Sequence, residues 1–274
     1  MSQLHPRLHL GTSSWSSKDW EGVFYPAGIA PRDMLGHYAT RLSCVEADST
    51  FYGPPAAATV RRWRGILPEG FRFTAKVPKV ITHEKVMEGC DEEMAAFVAV
   101  MDELGERLGP LLPQFPYFSK ASGMTQPAFL SRLGSFLPRL PAGHRFALEI
   151  RNKEWLEPPL LELLARHNVA VALIDHPWMP RIDRMMDSID PLTADFTSVR
   201  WLGDRHGIER RTLQWDKLIV DRTADMRLWI PALRSLLARA TVYGFFNNHY
   251  AGHAPGSIAL LEKLWNEEPV TPPA

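Results

Sequence analysis

Short, nearly continuous apolar runs recur along the chain, each followed by a loop of polar and special residues and then by an amphipathic segment. Eight such runs stand at 8–12, 43–47, 72–77, 110–115, 145–150, 169–174, 197–201 and 241–246. Most are apolar at successive rather than alternate positions, the mark of parallel strands covered on both faces. Helical spacing of apolar residues occurs over 31–42, 55–67, 91–108, 126–137, 154–167, 223–240 and 256–265. In the third of these, Met94, Phe97, Val98, Met101, Leu104 and Leu108 form one stripe, with Glu92, Glu93, Asp102, Glu103 and Glu106 largely off it, before Gly109-Pro110 stops the helix. Residues 175–195 contain Pro177, Pro180 and Pro191 and a poor helical pattern, which predicts an irregular crossover between the sixth and seventh strands.

Strand, helix and strand in regular alternation select a parallel sheet with right-handed crossovers. Eight repeats in 274 residues predict a closed α/β barrel of the (β/α)8 TIM type, which needs about 250 residues, rather than a doubly wound open sheet. The expected organisation is one barrel domain over 1–274, with a core over about 8–266 and a flexible tail at 267–274. The first strand runs into Gly11-Thr12-Ser13-Ser14-Trp15, which lacks the Gly-x-Gly-x-x-Gly of a dinucleotide site. Phosphate-loop, nucleophile-elbow and His-Glu-x-x-His patterns are likewise missing from the sequence.

Composition narrows the classes. Lys and Arg total 31 against 31 Asp and Glu, and hydrophobic residues make up 45% of the chain, as in a globular chain with a large buried core. Two cysteines, Cys44 and Cys90, cannot build a disulfide framework, so the chain reads as cytoplasmic and reduced, and no apolar run is long enough for a membrane span. Zero net charge and a pI near 7.2 oppose a dominant nucleic-acid footprint, although Arg61-Arg62-Trp63-Arg64 and the stretch 205–211 are locally basic.

In a barrel the chemistry belongs at the C-terminal strand ends. Reading those ends yields Thr12, Ser13 and Trp15; Glu46 and Asp48 with Phe51 and Tyr52 beyond; Lys76 with Thr82 and His83; Gln114; Glu149 and Arg151 with Trp155; Asp175 and His176; Arg200; and Asn247, Asn248 and His249.

These segments resemble a known family. Gly11-Thr12-Ser13-Ser14-Trp15 with Phe24-Tyr25-Pro26, the run Val45-Glu46-Ala47-Asp48-Ser49-Thr50-Phe51-Tyr52, Lys76-Val77-Pro78 with Ile81-Thr82-His83, Leu108-Gly109-Pro110-Leu111-Leu112-Pro113-Gln114, Glu149-Ile150-Arg151 with Trp155, and Tyr243-Gly244-Phe245-Phe246-Asn247-Asn248 are similar to the YecE-like family, catalogued as domain of unknown function seventy-two. The resemblance covers nearly the whole chain, implies a TIM-type barrel and brings no reaction with it. The chain departs from the family pattern at Asp48, where Asn is expected, at Asn152, where His is usual, and at Trp201-Leu202-Gly203, where Leu-His-Gly is common.

Each candidate has a structural alternative. Glu46 and Glu149 on apolar strands need cations or protons nearby, which Lys76, Arg151 and Arg200 supply either as plain neutralisation or as tuning for proton transfer. Three carboxylates, Glu46, Glu149 and Asp175, facing those three cations make a nearly neutral mouth suited to a polar or anionic small molecule. No cofactor is predicted. A divalent metal on Glu46, Glu149, Asp175 and His249 is the lesser alternative, because the intervening cations oppose it. Lys76 also suits a Schiff base, and His83 either general acid–base work or a structural hydrogen bond. Trp15, Phe51, Tyr52 and Trp155 either stack on a ligand or pack under the loops. Gln114, Asn247 and Asn248 would orient a ligand, and Asn247-Asn248 with the helix opening at 252–256 resembles a phosphate seat. The expected function is thus an enzyme, a hydrolase, lyase or isomerase, acting on a small phosphorylated or carbohydrate-like compound. The alternatives are a metal-dependent nuclease-like or nucleic-acid-binding barrel and a non-catalytic binding barrel. Partners other than a small molecule, and the oligomeric state, are not legible.

Overall fold

A computed structural model describes residues 4–268. Its strands are β1 (Leu8–Thr12), β2 (Cys44–Ala47), β3 (Arg72–Lys76), β4 (Leu108–Leu112), β5 (Ala147–Leu148), β6 (Ala170–Asp175), β7 (Phe196–Trp201) and β8 (Thr241–Phe246). All pair in parallel in the order β4-β3-β2-β1-β8-β7-β6-β5. The two ends of that order meet through bridges of Leu111 with Phe146 and Gln114 with Glu149. The Leu111, Phe115 and Glu149 amides donate across this seam to the Arg145, Glu149 and Pro113 carbonyls at 2.8, 2.9 and 3.0 Å. The sheet is therefore a barrel, as predicted.

The helices are α1 (Pro31–Ala39), α2 (Ala57–Ile66), α3 (Asp91–Met101), α4 (Gln126–Phe136), α5 (Pro158–Arg166), α6 (Ile182–Ser188), α7 (Arg205–Glu209), α8 (Thr223–Arg239), α9 (Asn248–Ala251) and α10 (Ala254–Glu267). Proline opens α1 and α5 and sits in the first turn of α4 and α10, where its missing N–H costs nothing.

Four expectations change. The third helix stops at Met101 and continues as a tighter turn over Asp102–Arg107, in which Gly105 takes φ 56°, ψ −133°, a conformation closed to other residues. The fourth strand covers Leu108–Leu112 rather than 110–115, because Pro113 has no N–H and ends the regular ladder. The crossover expected to be irregular contains α6: Pro180 lies just before it and Pro191 just after it, so the prolines bound the helix rather than forbid it. The last helix runs through Glu267, and both Glu267 and Glu268 pair with Arg227, so the ordered chain enters the segment read as a tail. The rest of that segment lies outside the described residues.

A small set of side chains, Cys44, Leu112, Ala147, Ala170, Ala172, Phe196, Tyr243 and Phe245, packs separately from the larger apolar shell between strands and helices and fills the barrel. Strands β1 and β2 close tightly because position 11 is glycine; a Cβ there would lie 1.9 Å from the Cys44 carbonyl oxygen. Among the described residues no helix is long and apolar enough to cross a membrane.

Candidate active site

Glu46 near the end of β2 and Arg200 near the end of β7 reach the C-terminal mouth, where Asp48 opens the tight turn Asp48–Tyr52 just after β2 and Glu149 follows β5. Arg200 links them. Its Nε donates to the two Glu46 oxygens at 3.1 and 2.9 Å, its Nη2 to Glu46 Oε1 at 2.6 Å and to Asp48 Oδ1 at 3.4 Å, and its Nη1 to Glu149 Oε2. The Arg200 side chain is 2% exposed and both glutamates are fully buried. Such a triad persists only because nearly every donor and acceptor is matched; loss of one member would leave buried charge uncompensated.

Around it lie groups that are not saturated. Arg151 donates from Nε to Glu149 Oε1 at 2.9 Å, while its side chain is 39% exposed and its Nη groups have no protein partner. Lys76 Nζ stands 3.8 Å from Asp48 Oδ1 and 4.6 Å from the centre of the Phe51 ring. His83, on a wide π-type turn at Val80–Glu84, meets the same ring edge-on at 4.9 Å and places Nδ1 2.8 Å from the Thr82 hydroxyl. His176 accepts the Trp178 amide at Nδ1, 3.2 Å away, which puts its proton on Nε2 when the ring is neutral.

The environment separates these groups electrically. Burial raises the Glu46 carboxyl against the pull of Arg200, and the nearby Asp48 adds to the rise. Burial acts on Glu149 in the same sense, but Arg200, Arg151 and Lys76 together outweigh it and hold that carboxyl at about 2. Burial, then repulsion from Arg200, lowers the Lys76 ammonium below its ordinary value. His83 is brought to about 4 by burial and by the charges of Lys76 and Arg151, so it is neutral at pH 7. His176 is lowered by burial and by Arg151.

The mouth thus unites Glu46, Lys76, Glu149, Arg151, Arg200 and His83, with Gln114 beside them, its Nε2 bonded to the Phe115 carbonyl and its backbone bridged to Glu149. Asp175 is not part of this cluster. Its carboxylate accepts the Trp229 indole N–H at 2.7 Å and the Tyr250 hydroxyl at 3.3 Å, and burial raises its pKa. Asp48 takes the place assigned to it as the third acid. The i, i+2 spacing from Glu46 signalled that position; Phe51, read with Trp15, Tyr52 and Trp155 as a ring that either stacks on a ligand or packs under the loops, instead lies against Lys76 and His83, and His176 was the mouth residue left without a role.

Two aromatic rings read as ligand platforms are packing residues: Trp15 lies against Trp63 and Phe73 at 5.3 and 5.6 Å, and Trp155 stacks on Phe118 at 5.6 Å and touches Phe129. Tyr52 is 80% exposed on the rim. Asn247 and Asn248 lie on the mouth but serve as caps through Oδ1. Asn247 accepts the His249 amide at 3.0 Å and faces His249 Nδ1 at 2.6 Å; Asn248 accepts Trp20 Nε1 at 3.2 Å and the Ala254 amide at 2.9 Å. The phosphate seat expected here is not formed: in the first turn of α10 the Ala254 amide is taken, position 255 is proline, and the Gly256 amide is bonded to His253.

Among the described residues no group of three or more His, Cys, Asp and Glu side chains is placed to hold a metal ion. Between Glu46 and Glu149 the guanidinium of Arg200 occupies the position a cation would take. Parts of the basic stretches are also engaged: Arg61 pairs with Glu103 at 2.6 Å, Trp63 stacks on Phe73, Arg205 pairs with Glu209 at 2.7 Å, and Arg211 donates to the Ile219 carbonyl at 3.0 Å.

A family model described as "Protein of unknown function DUF72" matches residues 9–274. The UPF0759 protein YecE of Escherichia coli strain K12 is similar at 25% identity over 278 residues, covering 95% of this chain and 92% of that protein. The crystal structure of a DUF72 family protein from Thermotoga maritima is 27% identical with a TM-score of 0.73, covering 95% of this chain and 99% of the other. The crystal structure of SacUVDE shares the fold at 10% identity and a TM-score of 0.55, covering 95% and 97%.

Proposed function

The chain belongs to the DUF72 family, as its ordered motifs implied, and because that family's description names no reaction we propose a function from the chain's own residues: it is an enzyme acting on a small anionic compound at the barrel mouth. The observation that carries this reading is the contrast between a saturated platform and unsaturated cations above it. Arg200 spends its donors on Glu46, Glu149 and Asp48 and fixes the floor. Glu149, kept ionised, orients Arg151 so that its free Nη groups face the mouth. A carboxylate or phosphate there would receive the paired donors of a guanidinium.

Lys76 is the group for proton transfer. Burial and the repulsion from Arg200 make the Lys76 ammonium a readier proton donor than an ordinary lysine, and Asp48 beside it takes up the ammonium charge when the proton returns. The neutral ring of His83 can receive or return a proton across the same mouth. The buried Glu46 acts at a distance, by holding Arg200. The same amine could attack a carbonyl substrate to form an imine, releasing water, and borohydride trapping separates that path from simple proton transfer.

Calorimetric titration with inorganic phosphate, sulfate and small carboxylates, followed by turnover assays on the acids that bind, tests the reading. Arg151→Leu and Lys76→Met should each weaken anion binding at least tenfold, and Lys76→Met should abolish turnover. Undiminished binding in both variants refutes the site. Binding without turnover of any bound acid favours the non-catalytic barrel.

A further inference from the structure

Beside the mouth, and reached through Asp48, lies a pocket of about 230 Å³ walled by Trp20, Trp215 and Phe246. We infer that it receives the uncharged, polyhydroxylated ring of a sugar-like ligand, with Asp48 joining it to the cation pair Lys76 and Arg151. The inference rests on the mouth reading for the anionic end of that ligand, and on the pocket's own chemistry for the ring.

The lining holds no Lys or Arg, and its one carboxylate is Asp48. An anion would therefore find no countercharge inside, whereas a hydroxyl can both give and accept hydrogen bonds there. The caps at Asn247 and Asn248 consume only Oδ1, so both Nδ2 amides keep their donors, and Trp215 Nε1 is unengaged. Asp48 Oδ2 is a free acceptor, since Arg200 and Lys76 both approach Oδ1. The hydroxyls of Ser16 and Ser17 also lack protein partners and line the same space.

Ser13 adds an independent observation. Its side chain is 4% exposed and its Oγ, at the pocket wall, has no hydrogen-bond partner. A buried hydroxyl left unpaired is costly, and native structures rarely tolerate it without a reason. A ligand hydroxyl supplies the partner. Fixed amide donors, one carboxylate and the half-buried Trp215 indole are together the chemistry that recognises a ring with hydroxyls on its edge and C–H bonds on its face. The edge-on contact of Trp215 with His249, 4.8 Å between centres, holds that indole in place.

The test compares three probes on the intact protein: inorganic phosphate, a neutral hexose and a hexose monophosphate. Binding is read by calorimetry and by saturation-transfer NMR on the sugar protons. The hexose monophosphate should bind at least tenfold more tightly than phosphate, and the neutral hexose should show saturable transfer. Trp215→Leu, which keeps the loop backbone, and Ser17→Phe, which fills the pocket, should each abolish the tenfold difference and the hexose signal while leaving phosphate affinity unchanged. Thermal melts confirm that both variants fold. Equal affinity for phosphate and hexose monophosphate, or a hexose signal indifferent to both substitutions, overturns the proposal. Failure of the mouth reading looks different: no probe then responds to Lys76→Met, although the neutral hexose still binds and still responds to Trp215→Leu.

Discussion

At the N-terminal end of the barrel His9 lies flat against Tyr243, 5.1 Å between ring centres, and Arg145 donates to the Tyr243 hydroxyl at 3.0 Å while covering Phe196 at 5.6 Å. At the C-terminal end three carboxylates and three cations interlock around Arg200. Both ends confine ionisable groups. The lower end does so with neutral rings: burial, with Arg72 and Arg145 nearby, keeps the imidazole of His9 uncharged down to about pH 4, and the Arg145 guanidinium lies at the half-exposed edge, 3.9 Å from Asp195. The upper end keeps the charges of Arg200 and Glu149 out of water. Apolar packing of the lower kind is the cheaper way to close a barrel, so the charged end reflects a requirement other than stability.

The largest expected effect breaks the upper end. Arg200→Leu leaves Glu46 and Glu149 buried without their cation and should cost about 3–5 kcal/mol in urea unfolding; a loss below about 1 kcal/mol would mean the cluster is not the closed network described. Next is acid. Glu149 has a folded pKa of about 2 against an ordinary value of 4.5, so its contribution is fully present above the ordinary value and is lost as pH falls towards 2. That is on the order of 3 kcal/mol over the window. The Glu149→Gln variant, though weaker throughout, should show a flatter stability profile between pH 4.5 and 2.

His9 sharpens the contrast from the other end. Its folded pKa of about 4 lies below the ordinary 6.5, so the unfolded chain binds the proton more readily and stability should fall as pH drops from 6.5 to 4. Unfolding midpoints of His9→Phe should fall less steeply across that range than the parent's, with His83 supplying part of the slope that remains, and a slope as steep as the parent's would assign the dependence to other groups. Tyr243→Phe removes only the hydroxyl bonded to Arg145 and should cost about 1 kcal/mol. A penalty as large as that of Arg200→Leu would erase the distinction between the two ends.

Much of the barrel is legible because buried parallel strands write themselves as continuous apolar runs, and six of the eight register closely with the structure. The seam strands are less legible. Only Ala147–Leu148 of the run 145–150 pairs as a regular strand, since its neighbour carries Pro110 and Pro113 and offers few N–H groups. In the site, Glu46, Lys76, Glu149, Arg151 and Arg200 follow from ionisable residues recurring at apolar strand ends. The fate of Asp175 does not, because its partners Trp229 and Tyr250 are 54 and 75 residues away in sequence. Nor can local pattern tell a ligand-stacking Trp15 from one wedged between Trp63 and Phe73, distant in the chain and adjacent in space.

The pairing of β1 with β8 also governs how the barrel is made. Five successive residues of β1, Leu8 to Thr12, register with β8, yet about 230 residues separate the two strands along the chain. At a synthesis rate of about 5–20 residues per second, β1 leaves the ribosome on the order of ten to forty-five seconds before its partner. For that interval the nascent half-barrel presents an open strand edge, the feature that invites aggregation. Chaperone dependence during translation should therefore end abruptly when β8 emerges, and ribosome-stalled chains ending before residue 241 should be captured by holdases while those extended well past 246 are released.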